Sequence, residues 1–136
     1  MPASLPAVRR PAIREAPLHR RGYREARPGD VVGLELTIVD VRPSEELLGP
    51  DGHIHGVWQA PLSGVMSHGL PDFDPSAPVV VVCGNGRDSG DVAEVLVQRW
   101  GFTEVYLLVG GMVRWNAESR PTARIPTQRT VTLPCT

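Results

Sequence analysis

Val79–Ser89, VVVVCGNGRDS, is the stretch whose reading decides the fold. Four consecutive Val residues suit a short strand buried on both faces, the pattern of an inner strand in a parallel sheet. The run ends at Cys83, and Gly84-Asn85-Gly86 supplies a tight loop whose backbone turns without side-chain clashes. Asp88 and Ser89 are suited to cap a helix that continues through Val92, Leu96 and Trp100. A thiol is therefore expected at the carboxyl end of a buried strand, beside a glycine loop and facing a helix N-terminus. Loop amides and the helix dipole favour negative charge there, which suits a nucleophilic thiolate. A buried structural thiol is the other reading, since free Cys is among the most buried residue types. The place of Cys83 at the strand end, before the loop, favours the reactive one.

The totals agree with a compact α/β chain. At 136 residues there is room for one domain with a core that needs no staples. The net charge of −1 gives no general attraction to nucleic acid or to a membrane, and no apolar run approaches a membrane span. The charge is uneven. Residues 1–30 hold seven Arg against Glu15, Glu25 and Asp30, a net +4, so the remainder carries −5. Two Cys do not make a disulfide framework, and a free thiol at Cys83 suits a reducing, cytoplasmic setting. The Pro- and Arg-rich N-terminus has no apolar core and does not read as a secretory signal.

Outward from the Val run, the elements alternate. Residues 1–30 carry Pro2, Pro6, Pro11, Pro17 and Pro28, and are expected as a loosely packed arm. Leu36–Val41 is predicted as the first strand, Ser44–Leu48 as one helical turn, and Val57–Ala60 as a second short strand. Leu62–His68 is predicted as a short helix. Asp88–Trp100 is the strongest helix, with Val92, Leu96 and Trp100 at four-residue spacing and Gly101 ending it. Glu104–Val109 is a further strand and Met112–Ala117 a short helix. Residues 121–136 are expected as a tail, with Cys135 exposed. Strands alternating with short helices imply a mostly parallel central sheet with helices on both faces, and sites in such sheets lie at the carboxyl ends of the strands.

At this point the chain resembles a single rhodanese domain over residues 31–120, a three-layer α/β fold. Asp40-Val41-Arg42 with Glu45 or Glu46 is similar to the family's first signature. Gly52-His53-Ile54 with Gly56-Val57 is similar to its second, and Cys83-Gly84-Asn85-Gly86 with Ser89 to its active-site loop. Gly101-Phe102, Val105-Tyr106 and Gly110-Gly111-Met112 with Trp115 are similar to its closing segment. The resemblance implies a sulfurtransferase in which Cys83 carries sulfur as a persulfide, cradled by the amides of Gly84, Asn85, Gly86, Arg87, Asp88 and Ser89. It implies a small sulfur donor, a cyanide or thiol acceptor, a sulfur-relay protein as a further partner, and no metal or organic cofactor. A monomer and a homodimer both remain open.

The loop departs from the family at one position. Many members have Arg five residues after the Cys, where this chain has Asp88. A carboxylate facing the pocket would oppose a thiolate and repel an anionic donor such as thiosulfate. The preferred expectation is that Asp88 turns away as a helix cap and Arg87 supplies the pocket cation. Asp40 is read either as a hydrogen-bond acceptor for the loop amides or as a strand-end cap, and Arg42 as an ion-pair partner of Glu45 or Glu46. His53 and His55 suggest a ligand pair by type, but nothing at a suitable spacing completes a metal site. Two alternatives stay open. One is a catalytically idle module that binds a partner or senses redox state. The other is phosphatase or arsenate chemistry, against which the Arg falls after only three intervening residues.

Overall fold

A computed structural model describes residues 13–133. Strands β1 (Arg24–Ala26), β2 (Thr37–Asp40), β3 (Trp58–Gln59), β4 (Val79–Val82), β5 (Val105–Leu108) and β6 (Arg129–Thr130) form one sheet. Its order is β1-β5-β4-β2-β3-β6, and every neighbouring pair is parallel. Helices α1 (Pro28–Val31), α2 (Ser44–Leu47), α3 (Leu62–His68), α4 (Asp88–Gln98) and α5 (Gly111–Ala117) cover its faces. Expected and observed bounds of the inner elements differ by one or two residues, the usual uncertainty of frayed ends.

The Val run lies between β2 and β5, and all four side chains are at most 2% exposed. Alternation along the strand divides them between two cores. Val79, Val81 and Cys83 pack with Val65 of α3 and Val92, Ala93 and Leu96 of α4. Val80 and Val82 pack with Val31 of α1, Leu47 of α2, and Met112 and Trp115 of α5. The result is the expected three layers, with Cys83 on the α4 side. The α4 stripe ends where Gly101, at φ 77°, turns the chain so that Phe102 N–H reaches the Leu96 carbonyl at 2.9 Å.

The expected looseness of residues 1–30 does not hold for their described part. Ile13, Ala16, Tyr23 and Ala26 are buried, and β1 adds an edge to the sheet by pairing Arg24, Glu25 and Ala26 with Tyr106, Leu107 and Leu108. Arg21 bonds Glu94 and Asp91 of α4 at 2.9 and 2.7 Å, and Arg14 lies 3.4 Å from Glu104. Much of the positive charge at this end is thus spent on acids of the domain itself. Over the described part of the tail, β6 forms the opposite edge, Val131 is buried, and Arg129 stacks its guanidinium on Trp58, 4.4 Å from the ring centre. Cys135 lies outside the described residues. Both edge strands are short and polar, so neither carries the apolar run by which an inner strand shows itself.

Tyr23 tests this packing, because it is buried in the α4-side core and stacks on His19 at 4.7 Å. Tyr23→Ala is expected to cost about 3 kcal/mol, read as a fall in urea midpoint at constant slope. A loss below about 0.5 kcal/mol would mean that the segment contributes no packing.

Candidate active site

Cys83 follows β4 directly and is 3% exposed. Its Sγ accepts the Gly86 N–H at 3.0 Å, and its thiol donates to Ser89 Oγ at 3.3 Å. Ser89 is itself buried at the start of α4. A hydroxyl rotates freely, so Ser89 can donate to the sulfur once the thiol has lost its proton.

The loop is held from behind by α5. Met112 N–H donates to the Cys83 carbonyl and Val113 N–H to the Gly84 carbonyl, each at 2.9 Å. The peptides are trans, so the N–H groups of Gly84 and Asn85 point the opposite way, away from α5. Neither has an acceptor among the described residues. This approach requires glycine. A Cβ on Gly111, at φ 57°, would collide with the Cys83 carbonyl oxygen and come within 2.7 Å of Gly84. A Cβ on Gly86, at φ 91°, would lie 2.9 Å from Gly110 N.

A cavity of about 660 Å³ opens onto the sulfur. Cys83, Gly84, Asn85 and Asp88 line one side. Val41, Arg42, Pro43 and Glu46 come from the chain after β2, Pro61, Leu62 and Ser63 from the start of α3, and Val113 from α5. The expected roles of Asp88 and Arg87 are therefore corrected. Asp88 is the first residue of α4 and lines the cavity. Arg87 holds the cap position with no side-chain cap bond, is exposed, and is not among the lining residues. The Asn85 side chain takes the Arg87 N–H at 3.0 Å, and no side chain bonds the first amides of α4 as a cap. Ser63 and Val113 were not singled out on sequence, and Glu46 only in the first signature and as a partner for Arg42. They lie on three separate helices, and their convergence depends on the tertiary fold.

Asp40 and Arg42 resolve into a buried pair. Arg42 donates from its Nε and a terminal nitrogen to the Asp40 carboxylate at 3.0 and 2.7 Å, and its backbone N–H reaches the same carboxylate at 3.1 Å. The guanidinium also donates to the Gly52 carbonyl at 2.8 Å. Asp40 therefore does not serve the amides of the Cys83 loop, and Arg42 does not pair with Glu45 or Glu46, which are exposed. Residues two apart on an extended chain share a face, which makes the Asp40–Arg42 pairing the shorter reach. The pair ties the end of β2 to the turn at Gly52.

The histidines are structural in placement. His53 is fully buried, with Nδ1 2.7 Å from the Leu47 carbonyl and Nε2 2.7 Å from Thr127 Oγ1. A carbonyl only accepts, so neutral His53 carries its proton on Nδ1 and accepts from Thr127. His68 is half-buried with Nε2 enclosed and unpartnered among the described residues. No three His, Cys, Asp or Glu side chains converge as a metal site among the described residues.

Arg42→Met leaves Asp40 buried and uncompensated. It is expected to cost roughly 3–5 kcal/mol in denaturant unfolding, whereas Glu46→Gln stays within about 0.5 kcal/mol. Equal losses in the two variants would restore the Arg42–Glu46 pairing.

The comparisons with known proteins agree with this architecture. A model described as the rhodanese-like domain matches residues 26–118, beginning in β1 and spanning every motif above. The chain is 38% identical over 83 residues to the thiosulfate sulfurtransferase GlpE of Stutzerimonas stutzeri, covering 58% of this chain and 69% of that protein. It is 33% identical over 99 residues to the uncharacterized protein YqhL of Bacillus subtilis, covering 73% and 68%. The crystal structure of a rhodanese-related protein from Thermoplasma volcanium superposes with a TM-score of 0.67 at 26% identity, over 76% of this chain and all of that one. A matched domain that fills most of the chain makes this protein a member of the rhodanese-like domain family.

Proposed function

We propose that the protein is a sulfurtransferase that moves sulfane sulfur to a nucleophilic acceptor through a persulfide on Cys83. The observation that supports this most is the seat of the sulfur. Cys83 Sγ borders a 660 Å³ cavity, with the Gly86 amide already donating to it at 3.0 Å. The Cys83 thiolate attacks the outer sulfur of the donor. The bond between that sulfur and the rest of the donor breaks, and the leaving group departs with the electron pair. The transferred sulfur stays on Cys83 as a persulfide. Cyanide or a thiol then attacks the outer sulfur, leaving as thiocyanate or a new persulfide and returning Cys83 to the thiolate.

The chain's own groups serve the charge on sulfur. The Gly86 amide and the Ser89 hydroxyl meet Cys83 Sγ, and the free amides of Gly84 and Asn85 border the space where the outer sulfur would sit. They act as an oxyanion hole acts on developing charge. The N-terminus of α4 adds the positive end of its dipole. Asp88 and the remaining walls shape the donor's entry. The acceptor is cyanide, a small thiol or the cysteine of a sulfur-relay protein, and the chemistry calls for no metal or organic cofactor.

Intact mass after incubation with thiosulfate or polysulfide checks the reading. The expected result is one added sulfur on the reduced protein, absent in Cys83→Ser and removed by cyanide or a thiol. Ser89→Ala is expected to slow loading by about tenfold, the loss of one hydrogen bond to a charged group. No uptake from any donor would overturn the proposal and leave a partner-binding module in its place.

A further inference from the structure

Resting on the persulfide reading, we propose that this cavity selects an organic sulfane-sulfur donor bearing an ammonium group, with Asp88 and Glu46 as the specificity-determining residues that turn away inorganic dianions. Both residues line the cavity that Cys83 also lines. Both residues are exposed, and neither has an ion pair among the described residues. Arg42 is the single cation among the lining residues, and its guanidinium is bound to Asp40. Seen from the cavity, that pair is neutral. Arg87, the other cation of the loop, does not line the space.

The charge facing the distal part of a donor is therefore −2. Asp88 is in the first turn of α4, so the positive end of that dipole offsets part of its charge, whereas Glu46 on α2 lies outside it. Val41, Pro61, Leu62 and Val113 also line the cavity and give it an apolar wall suited to a short aliphatic arm. A dianion such as thiosulfate meets two like charges and no free guanidinium. A donor with an aliphatic arm and an ammonium group buries the arm and places the cation between the carboxylates.

The step balances with a thiosulfonate as the donor. The Cys83 thiolate attacks the outer sulfur of R–SO2–S⁻, the S–S bond breaks, and the sulfinate R–SO2⁻ leaves with the electron pair. Thiosulfate reacts by the same displacement with sulfite leaving. A charge series at one reacting group is thus available in thiosulfate (−2), methanethiosulfonate (−1) and 2-aminoethanethiosulfonate (net zero, with an ammonium).

The test is kcat/KM for sulfur loading of Cys83 by each donor, referenced to the rate of the same donor with a free thiol. The expected order is 2-aminoethanethiosulfonate first, methanethiosulfonate second and thiosulfate last, each step on the order of tenfold at low ionic strength. In Asp88→Asn/Glu46→Gln, and in wild type at high salt, the spread is expected to shrink to about threefold or less. Equal use of all three donors, a preference for thiosulfate, or a spread that survives in the double variant would overturn the donor assignment while leaving the persulfide reading standing. Failure of all three to load Cys83 would instead remove the persulfide reading beneath it.

Discussion

Two backbone hydrogen bonds, from Met112 N–H to the Cys83 carbonyl and from Val113 N–H to the Gly84 carbonyl, set which way the loop after β4 faces. Because the peptides are trans, pulling those carbonyls toward α5 turns the Gly84 and Asn85 amides to the other side. That orientation leaves both amides without an acceptor among the described residues, beside a sulfur that meets the Gly86 amide and the Ser89 hydroxyl. It holds only because Gly86 and Gly111 let two backbone segments interlock where a Cβ would meet main-chain atoms. The parallel sheet brings the two segments together, since β4 and β5 are neighbours and end at the same edge.

The second constraint is electrostatic. Asp40 and Arg42 lie buried beside the cavity and spend their charges on each other. Such a pair does little for net stability but is costly to break. Its effect on the site is to remove the one lining guanidinium from service, so that Asp88 and Glu46 decide the charge of the entrance. A position where relatives often carry Arg thus becomes acidic without disturbing the sulfur's own partners, which are backbone amides, a hydroxyl and a helix end.

The inner strands and α4 were legible because each buries apolar side chains in a periodic pattern. Val79–Val82 shows the continuous run of a strand covered on both faces, and Val92 with Leu96 shows the stripe of a helix on a sheet. The edges were not legible. Arg24–Ala26 and Arg129–Thr130 are held by backbone pairing to β5 and β3 and by distant contacts such as Arg129 on Trp58, which leave no periodic trace in two or three residues. The Pro-rich N-terminus therefore read as loose although its described part is packed. Within the candidate site, Cys83 and its glycine loop are contiguous and could be read. Ser63 and Val113, and the place of Glu46 in the cavity wall, come from three separate helices and could not.

By itself the sequence determined the order of the inner strands and helices, the layered α/β class, and the place of Cys83 at the end of a buried strand before a turning loop. Those properties follow from local rules: apolar periodicity, β-branched runs and glycine where the chain must turn. Only the tertiary structure decided which charges face the sulfur. Arg42 chose Asp40 over the nearby glutamates because both lie on one face of an extended segment, and Asp88, the first residue of α4, lines the cavity while Arg87 does not. Pairing among side chains depends on distances and directions in the folded chain, and adjacency in the sequence does not supply them.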